Sequence, residues 1–253
     1  MKKIYDYLEQ KQSEFKKHSF YNQLFEHKYS NGIACFAPKM TFWVMAFQDM
    51  LQLNLKQITH PLFFQIARFH QVEDAGHEKW FLNDLSKLGK QEPSLRNLYS
   101  QAHAPVRYAS YTLVSEVFRS NNDFERIALL FSVESAAQVF FEQIARYSSI
   151  PINGFSTLEY FSGNHLEAEE SHESFNQEVK AQLDNIQLTS KQEKEIVELI
   201  DRVYVSFTII LDELQTTLST PHRSKGSEIE EDIPVGLHKN KTCKDVLQVS
   251  DLK

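Results

Sequence analysis

Apolar residues along the chain recur mostly at intervals of three to five, which predicts helices rather than strands. Seven segments carry this spacing. The first, about residues 4–30, sets Tyr5, Leu8, Phe15, Phe20, Leu24 and Phe25 along a helix that Asn31-Gly32 stops. The second, about 38–58, opens at Pro38, a favourable first helical position. Its residues Phe42, Trp43, Val44, Met45, Phe47, Met50 and Leu51 mark it as a central helix. The third runs from His60-Pro61 to Gly89, placed as a C′ glycine. The fourth covers about 94–120, with Pro105 kinking it or starting it afresh. Asn121-Asn122-Asp123 forms a turn and cap before the fifth, which reaches about residue 149. The sixth spans about 156–186. The seventh, about 190–219, opens at Thr189-Ser190 with Glu193 completing a capping box. No alternating β-branched run between hairpin signals interrupts the series. The predicted class is all-α, and the scarcity of turn formers agrees: only 7 Gly and 7 Pro occur in 253 residues.

That length suits one helical domain over residues 1–219. From Thr220 onward no aromatic residue appears, and Lys, Asp, Glu and Ser dominate, so residues 220–253 are expected to be a polar, disordered tail. The net charge of −7 argues against a nucleic-acid partner. Cys35 and Cys243 stand far apart, which excludes a disulfide scaffold and fits a reducing cytoplasm. The N-terminus has no signal-peptide pattern, and the apolar run 203–211 is too short to span a bilayer, which needs roughly 20 residues. A soluble cytoplasmic protein with no membrane partner is therefore expected.

Two segments repeat one set of chemical groups. His70, Asp74 and His77 lie in the third helix, and His165, Glu169 and His172 in the sixth. Both read His-x3-acid-x2-His, which on a continuous helix puts three donors on one stripe. Imidazole with carboxylate suits a first-row metal of borderline hardness. Composition alone gives roughly 0.05 such triplets by chance, so the repeat carries information. The plain alternative is a solvated acidic face that includes Glu167, Glu169, Glu170 and Glu173. Apolar neighbours on the same stripes, Phe63, Ile66 and Phe81 early and Leu158 and Phe161 late, point instead to partly buried donors. Glu134 stands inside the apolar run 129–140 and reads as a further, bridging ligand, or else as a partner of Arg107 or Arg126.

With this motif set, the chain resembles the haem-oxygenase-like di-iron oxidases over roughly residues 4–219. The late triplet matches that family's His-x3-Asp/Glu-x2-His, and Glu134 matches its mid-chain Glu. His77 matches its early His. In a chlamydial member the early acid lies seven residues before that His, where this chain has His70. Either Glu73 or Asp74 then supplies the carboxylate. The resemblance implies a seven-helix haem-oxygenase-like bundle and two non-haem irons, with O2 as co-substrate. The metal residues would be His70, Asp74, His77, Glu134, His165, Glu169 and His172. It also implies an oxidoreductase acting on a small molecule: an amine, an amino-acid derivative or a fatty acid. The residues themselves leave manganese open, and leave a homodimer as an assembly to test. Tyr108, Tyr111, Tyr160 and Trp80 stand on or beside the ligand helices as packing aromatics or electron relays. Two other readings compete. One is a metal-free binding or effector-type protein on the same fold. The other is a ferritin-like carboxylate protein using Asp74-x2-His77 and Glu169-x2-His172.

Overall fold

The computed structural model describes residues 1–26, 32–150, 157–163, 165–166, 183 and 185–219. Glu169, His172 and the tail 220–253 lie outside them. Among the described residues there is no strand, and the chain is all-α. The long elements are α1 (Lys2–Phe15), α2 (Ser19–Glu26), α3 (Gly32–Gln57), α4 (Pro61–Glu73) and α5 (His77–Lys87). There follow a short α6 (Leu95–Leu98), a 3₁₀ turn at Gln101–His103, α7 (Ala104–Arg119), α8 (Asp123–Ser148) and α9 (Ser190–Ser219).

Several boundaries differ from expectation, each for a physical reason. The first segment breaks after Phe15, and His18 Nδ1 accepts the Phe20 N–H at 3.2 Å to start α2. Phe15 and Phe20 both reach the core across this break. The second helix begins at Gly32, so Pro38 lies inside α3 and Cys35 is part of a helix. A proline inside a helix costs about 3 kcal/mol. Burial of Ile33, Ala34, Phe36 and Ala37 offsets it, at roughly 1.5–3 kcal/mol for each large side chain. Pro105 restarts its segment as the first turn of α7. At the end of α5, Lys90 N–H bonds Leu85 C=O and Gly89 N–H bonds Ser86 C=O, both at 2.9 Å. Gly89 closes this Schellman motif at φ 67°, a left-handed conformation that suits glycine.

The capping expected at residues 121–123 is present. Asn122 Oδ1 accepts the Glu125 N–H, and Glu125 Oε2 accepts the Asn121 N–H in return. The capping box of α9 sits one residue earlier than expected, with Thr189 and Gln192 exchanging bonds. Glu193 pairs with Lys3 instead.

α8 forms the centre of the bundle, with buried residues on nearly every side of it. It packs on α9 and α1, while α3 packs on α7, α9 and α4. α8 is long and apolar enough to cross a membrane, unlike the shorter run read from sequence, yet 67% of its most apolar window is buried within the protein. The compact unit closes with α9 running antiparallel to α3: Trp43 meets Phe207 edge-on at 5.2 Å, and Lys39 pairs with Glu213 at 2.7 Å.

One charged contact ties α7 to α9. Glu116, 1% exposed, accepts two bonds from Arg202 at 3.0 and 2.9 Å and one from Arg119 at 3.1 Å. The two-pronged Arg–carboxylate geometry is a strong one. Removing a partner from a buried pair costs 3–5 kcal/mol, but both arginines here reach water, so Glu116→Ala should lose about 2 kcal/mol. The melting temperature should then fall by roughly 4–8 °C. A thermal melt that does not move would show that the pair contributes nothing.

Candidate metal centre

The third predicted helix is interrupted where its chemistry begins. α4 ends at Glu73, and Gly76 takes φ 103°, a left-handed conformation open to glycine at little cost. The chain turns there and restarts as α5 at His77. His70, Asp74 and His77 therefore do not share one helical stripe, as their spacing had predicted. Asp74 and His77 still meet, because the turn folds them together: His77 N–H bonds Asp74 C=O at 3.2 Å, and His77 Nδ1 lies 3.3 Å from Asp74 Oδ1. Gln48 of α3 donates to the Asp74 carbonyl at 2.8 Å, and Glu78 accepts the Gly76 N–H at 3.0 Å, so both sides of the turn are held.

Glu134 reaches the same place from α8. Ligand atoms of His70, Asp74 and Glu134 all lie within 4.8 Å of one another. The arginines considered as partners for Glu134 have other contacts. Arg107 donates to the carbonyls of Leu98 and Ser100. Arg126 donates to the Ser120 carbonyl and pairs with Asp123.

His165 arrives from a separate segment. Its Nε2 lies 3.2 Å from His77 Nδ1, and its Nδ1 lies 3.1 Å from the Tyr160 carbonyl. A carbonyl only accepts, so the proton of a neutral His165 sits on Nδ1 and Nε2 keeps its lone pair. Burial, then the neighbouring His77, lowers the His165 pKa to about 3. The ring is thus neutral at ordinary pH, with a lone pair aimed into the cluster. His77 Nδ1 faces both Asp74 and His165, which places those two within two hydrogen-bond lengths of each other. Two nitrogen or oxygen donors about 2.1 Å from one ion and at right angles are roughly 3 Å apart, so these separations suit a shared ion.

The structure thus brings His70, Asp74, His77, Glu134 and His165 together. Glu169 and His172 lie outside the described residues. Of the two candidate early carboxylates, Asp74 is the one at ligand distance. Glu73 sits beside it, and burial, then the Asp74 charge, raises its carboxyl pKa to about 7 against the opposing pull of His77.

The neighbouring aromatics divide into two groups. Trp80 stacks on His77 with ring centres 4.6 Å apart, and Tyr160 lies 5.0 Å from His165. Tyr108 and Tyr111 instead face solvent at 58% and 45% exposure, so they do not line the centre. A cavity of about 710 Å3, its mouth included, adjoins the cluster. Asp74, His77, Glu134 and His165 line it together with apolar residues of α3, α8 and α9.

Two contributors were missed in the sequence. Gln48 carries the same signal as Glu134, a polar residue in an apolar helix. Asp84 carries none, since its partners lie more than 70 residues away. Its buried carboxylate accepts the N–H of Glu159 at 2.9 and 3.0 Å and that of Phe161 at 3.1 Å. Burial raises its pKa, and these N–H groups and Lys87 offset part of the rise. Asp84 fixes the turn that carries the Tyr160 carbonyl, and through it His165.

No family model matches the chain, and no curated protein matches it.

Asp84→Ala should release that turn. Each orphaned buried N–H costs about 1–3 kcal/mol, so a total loss of roughly 3 kcal/mol is expected. Amide exchange at Glu159 and Phe161 should accelerate more than at α8 core amides. Unchanged protection at those two amides would show that Asp84 does not hold the turn.

Proposed function

We propose that this protein is a non-haem di-iron oxidoreductase on a seven-helix haem-oxygenase-like bundle, using O2 as co-substrate to oxidise a small organic molecule. One observation carries the reading: five ligand-type side chains from three distant parts of the chain converge beside an apolar cavity. Carboxylates and neutral imidazoles in this mixture are the donor set that ferrous iron takes. His70, Asp74 and Glu134 would hold one ion, and His77 and His165 the other with Asp74 between them. Glu169 and His172 are further candidates on the second ion. Bound iron would supply the redox chemistry that O2 requires.

The chain's own residues then have separate tasks. Asp74 and Glu134 supply the negative charge that a divalent ion needs in an apolar interior. The Tyr160 carbonyl holds the His165 tautomer with its proton on Nδ1 and its Nε2 lone pair toward His77, as outer partners of ligating imidazoles do. Trp80 covers one face of His77 and keeps water from it. The apolar walls exclude water from the reacting side of the cluster and leave room for substrate. The positions of His70 and His165 favour this reading over a ferritin-like one, which uses neither.

Chelator-treated protein loaded with Fe(II) under argon should take up close to two irons per chain. Glu134→Ala and His165→Ala should each weaken uptake by more than the roughly 10–100-fold typical of losing an outer partner. His70→Ala should lose less, because Glu73 and Asp74 remain beside it. An iron ratio near zero in the wild type, or full uptake in both ligand variants, would overturn the proposal.

A further inference from the structure

We infer that the outer face of α7, extended by Val205 and Ile209 of α9, is the contact through which two copies of this chain form a twofold dimer. This face holds none of the five donors and works independently of the function proposed above.

From Ala104 to Phe118 no charged residue of α7 is exposed, because Arg107 and Glu116 are both buried. Tyr108, Tyr111 and Phe118 stand on the outside instead, and Phe118 is 62% exposed. Tyr99, 57% exposed, lies beside them, its hydroxyl 3.3 Å from that of Tyr111. The rings are held in place. Phe42 meets both Tyr99 and Tyr111 edge-on, and the Arg107 guanidinium lies 5.2 Å from the ring centres of Tyr99 and Tyr108. Aromatic side chains fixed in this way lose little freedom on docking. α9 runs antiparallel alongside α7. Arg202 pairs with Glu116 near one end, and Lys39 links Glu213 to the Ala102 carbonyl at the other. The exposed Val205 and Ile209 therefore extend the face at mid-length. Aromatic enrichment with loss of charge is what separates an interface from ordinary surface.

Area, shape and charge point to a second copy. At roughly 200 Å2 per fully exposed aromatic residue, Tyr99, Tyr108, Tyr111 and Phe118 leave about 450 Å2 in water. A stable dimer of standard size buries about 800 Å2 per partner, of which roughly three-fifths, about 480 Å2, is non-polar. Val205 and Ile209 supply the remainder. The stripe also fits itself. A twofold axis near residue 113 sets a second α7 antiparallel to the first. Tyr111 then faces the small Ser115 of the partner subunit, and Tyr108 meets Phe118 of the partner subunit as an aromatic pair. Two copies that each carry a charge of −7 repel one another at a distance, so their contact favours the face that is free of charge.

Sedimentation velocity of the full chain over a concentration series tests the contact. The mass should pass from 29.5 kDa to twice that value by about 10 μM. Phe118→Asp and Tyr111→Asp each place an unpaired charge in the contact, twice per dimer because of the symmetry. Each should raise the dissociation constant about 100-fold or more. Helical circular dichroism equal to wild type shows that a variant is folded. Phe118 is the more exposed of the two, so it keeps the test decisive if the Tyr111 variant unfolds. Lys17→Glu, a charge change outside this face, should leave the dimer intact. A wild-type chain that stays at 29.5 kDa throughout overturns the proposal. Binding of that monomer to neutral phosphatidylcholine vesicles would then assign the face to a lipid surface. A dimer that persists undiminished in either folded Asp variant would show that the copies meet elsewhere, and overturns it equally.

Discussion

Asp74, His77 and His165 are each more than nine-tenths buried. Taking a carboxylate and imidazoles out of water costs several kcal/mol unless each finds a partner. The local structure follows from that constraint. The helix must break at Gly76 so that His77 can turn toward Asp74. His165 must be neutral and held by a carbonyl so that its lone pair meets the same place. α8 must deliver Glu134 from the centre of the bundle, where only a carboxylate with partners is tolerated. Satisfying one another is a partial solution. A set of three imidazoles and two carboxylates is better completed by cations than by hydrogen bonds among its members, since most of its atoms are acceptors.

The rest of the fold serves this arrangement. α3 buries a largely apolar face, and Gln48 braces the Asp74 carbonyl from it. α5 carries two functions three turns or less apart, His77 at its start and Asp84 on its buried face. Asp84 grips the backbone at Glu159 and Phe161, so the segment bearing His165 is tied to the helix bearing His77. Phe141 of α8 and Tyr160 pack against the His165 ring and fix its plane. α9 closes the opposite side with apolar residues and is secured to α7 by Arg202 and Glu116. Polar donors and apolar residues therefore line one cavity together.

The all-α class was legible from spacing alone, because three-to-five periodicity and scarce turn formers allow little else. His70 with Asp74, Glu134 and His165 were legible as polar groups in apolar surroundings, where chemistry or pairing must explain them. The way His77 joins them was not. Its spacing from Asp74 suggested a continuous helix, although Gly76 stood in the sequence as a breaker between two strong helical segments. Pro38 misled in the opposite direction, since local preference marks a helix start and tertiary burial of Ile33 and Phe36 overrides it. Asp84 was invisible for another reason. Its role depends on a backbone segment far along the chain, and no local pattern encodes a partner at that distance.

The proposed role of the buried donors is to hold two metal ions. Crystals of the protein loaded with Fe(II) under argon, measured just above and just below the iron absorption edge, test it most directly. Two anomalous peaks are expected roughly 3.5–4 Å apart, one bounded by His70, Asp74 and Glu134 and the other beside His77 and His165. Anomalous density only at the surface, or its absence around these five residues in crystals holding iron elsewhere, would contradict it.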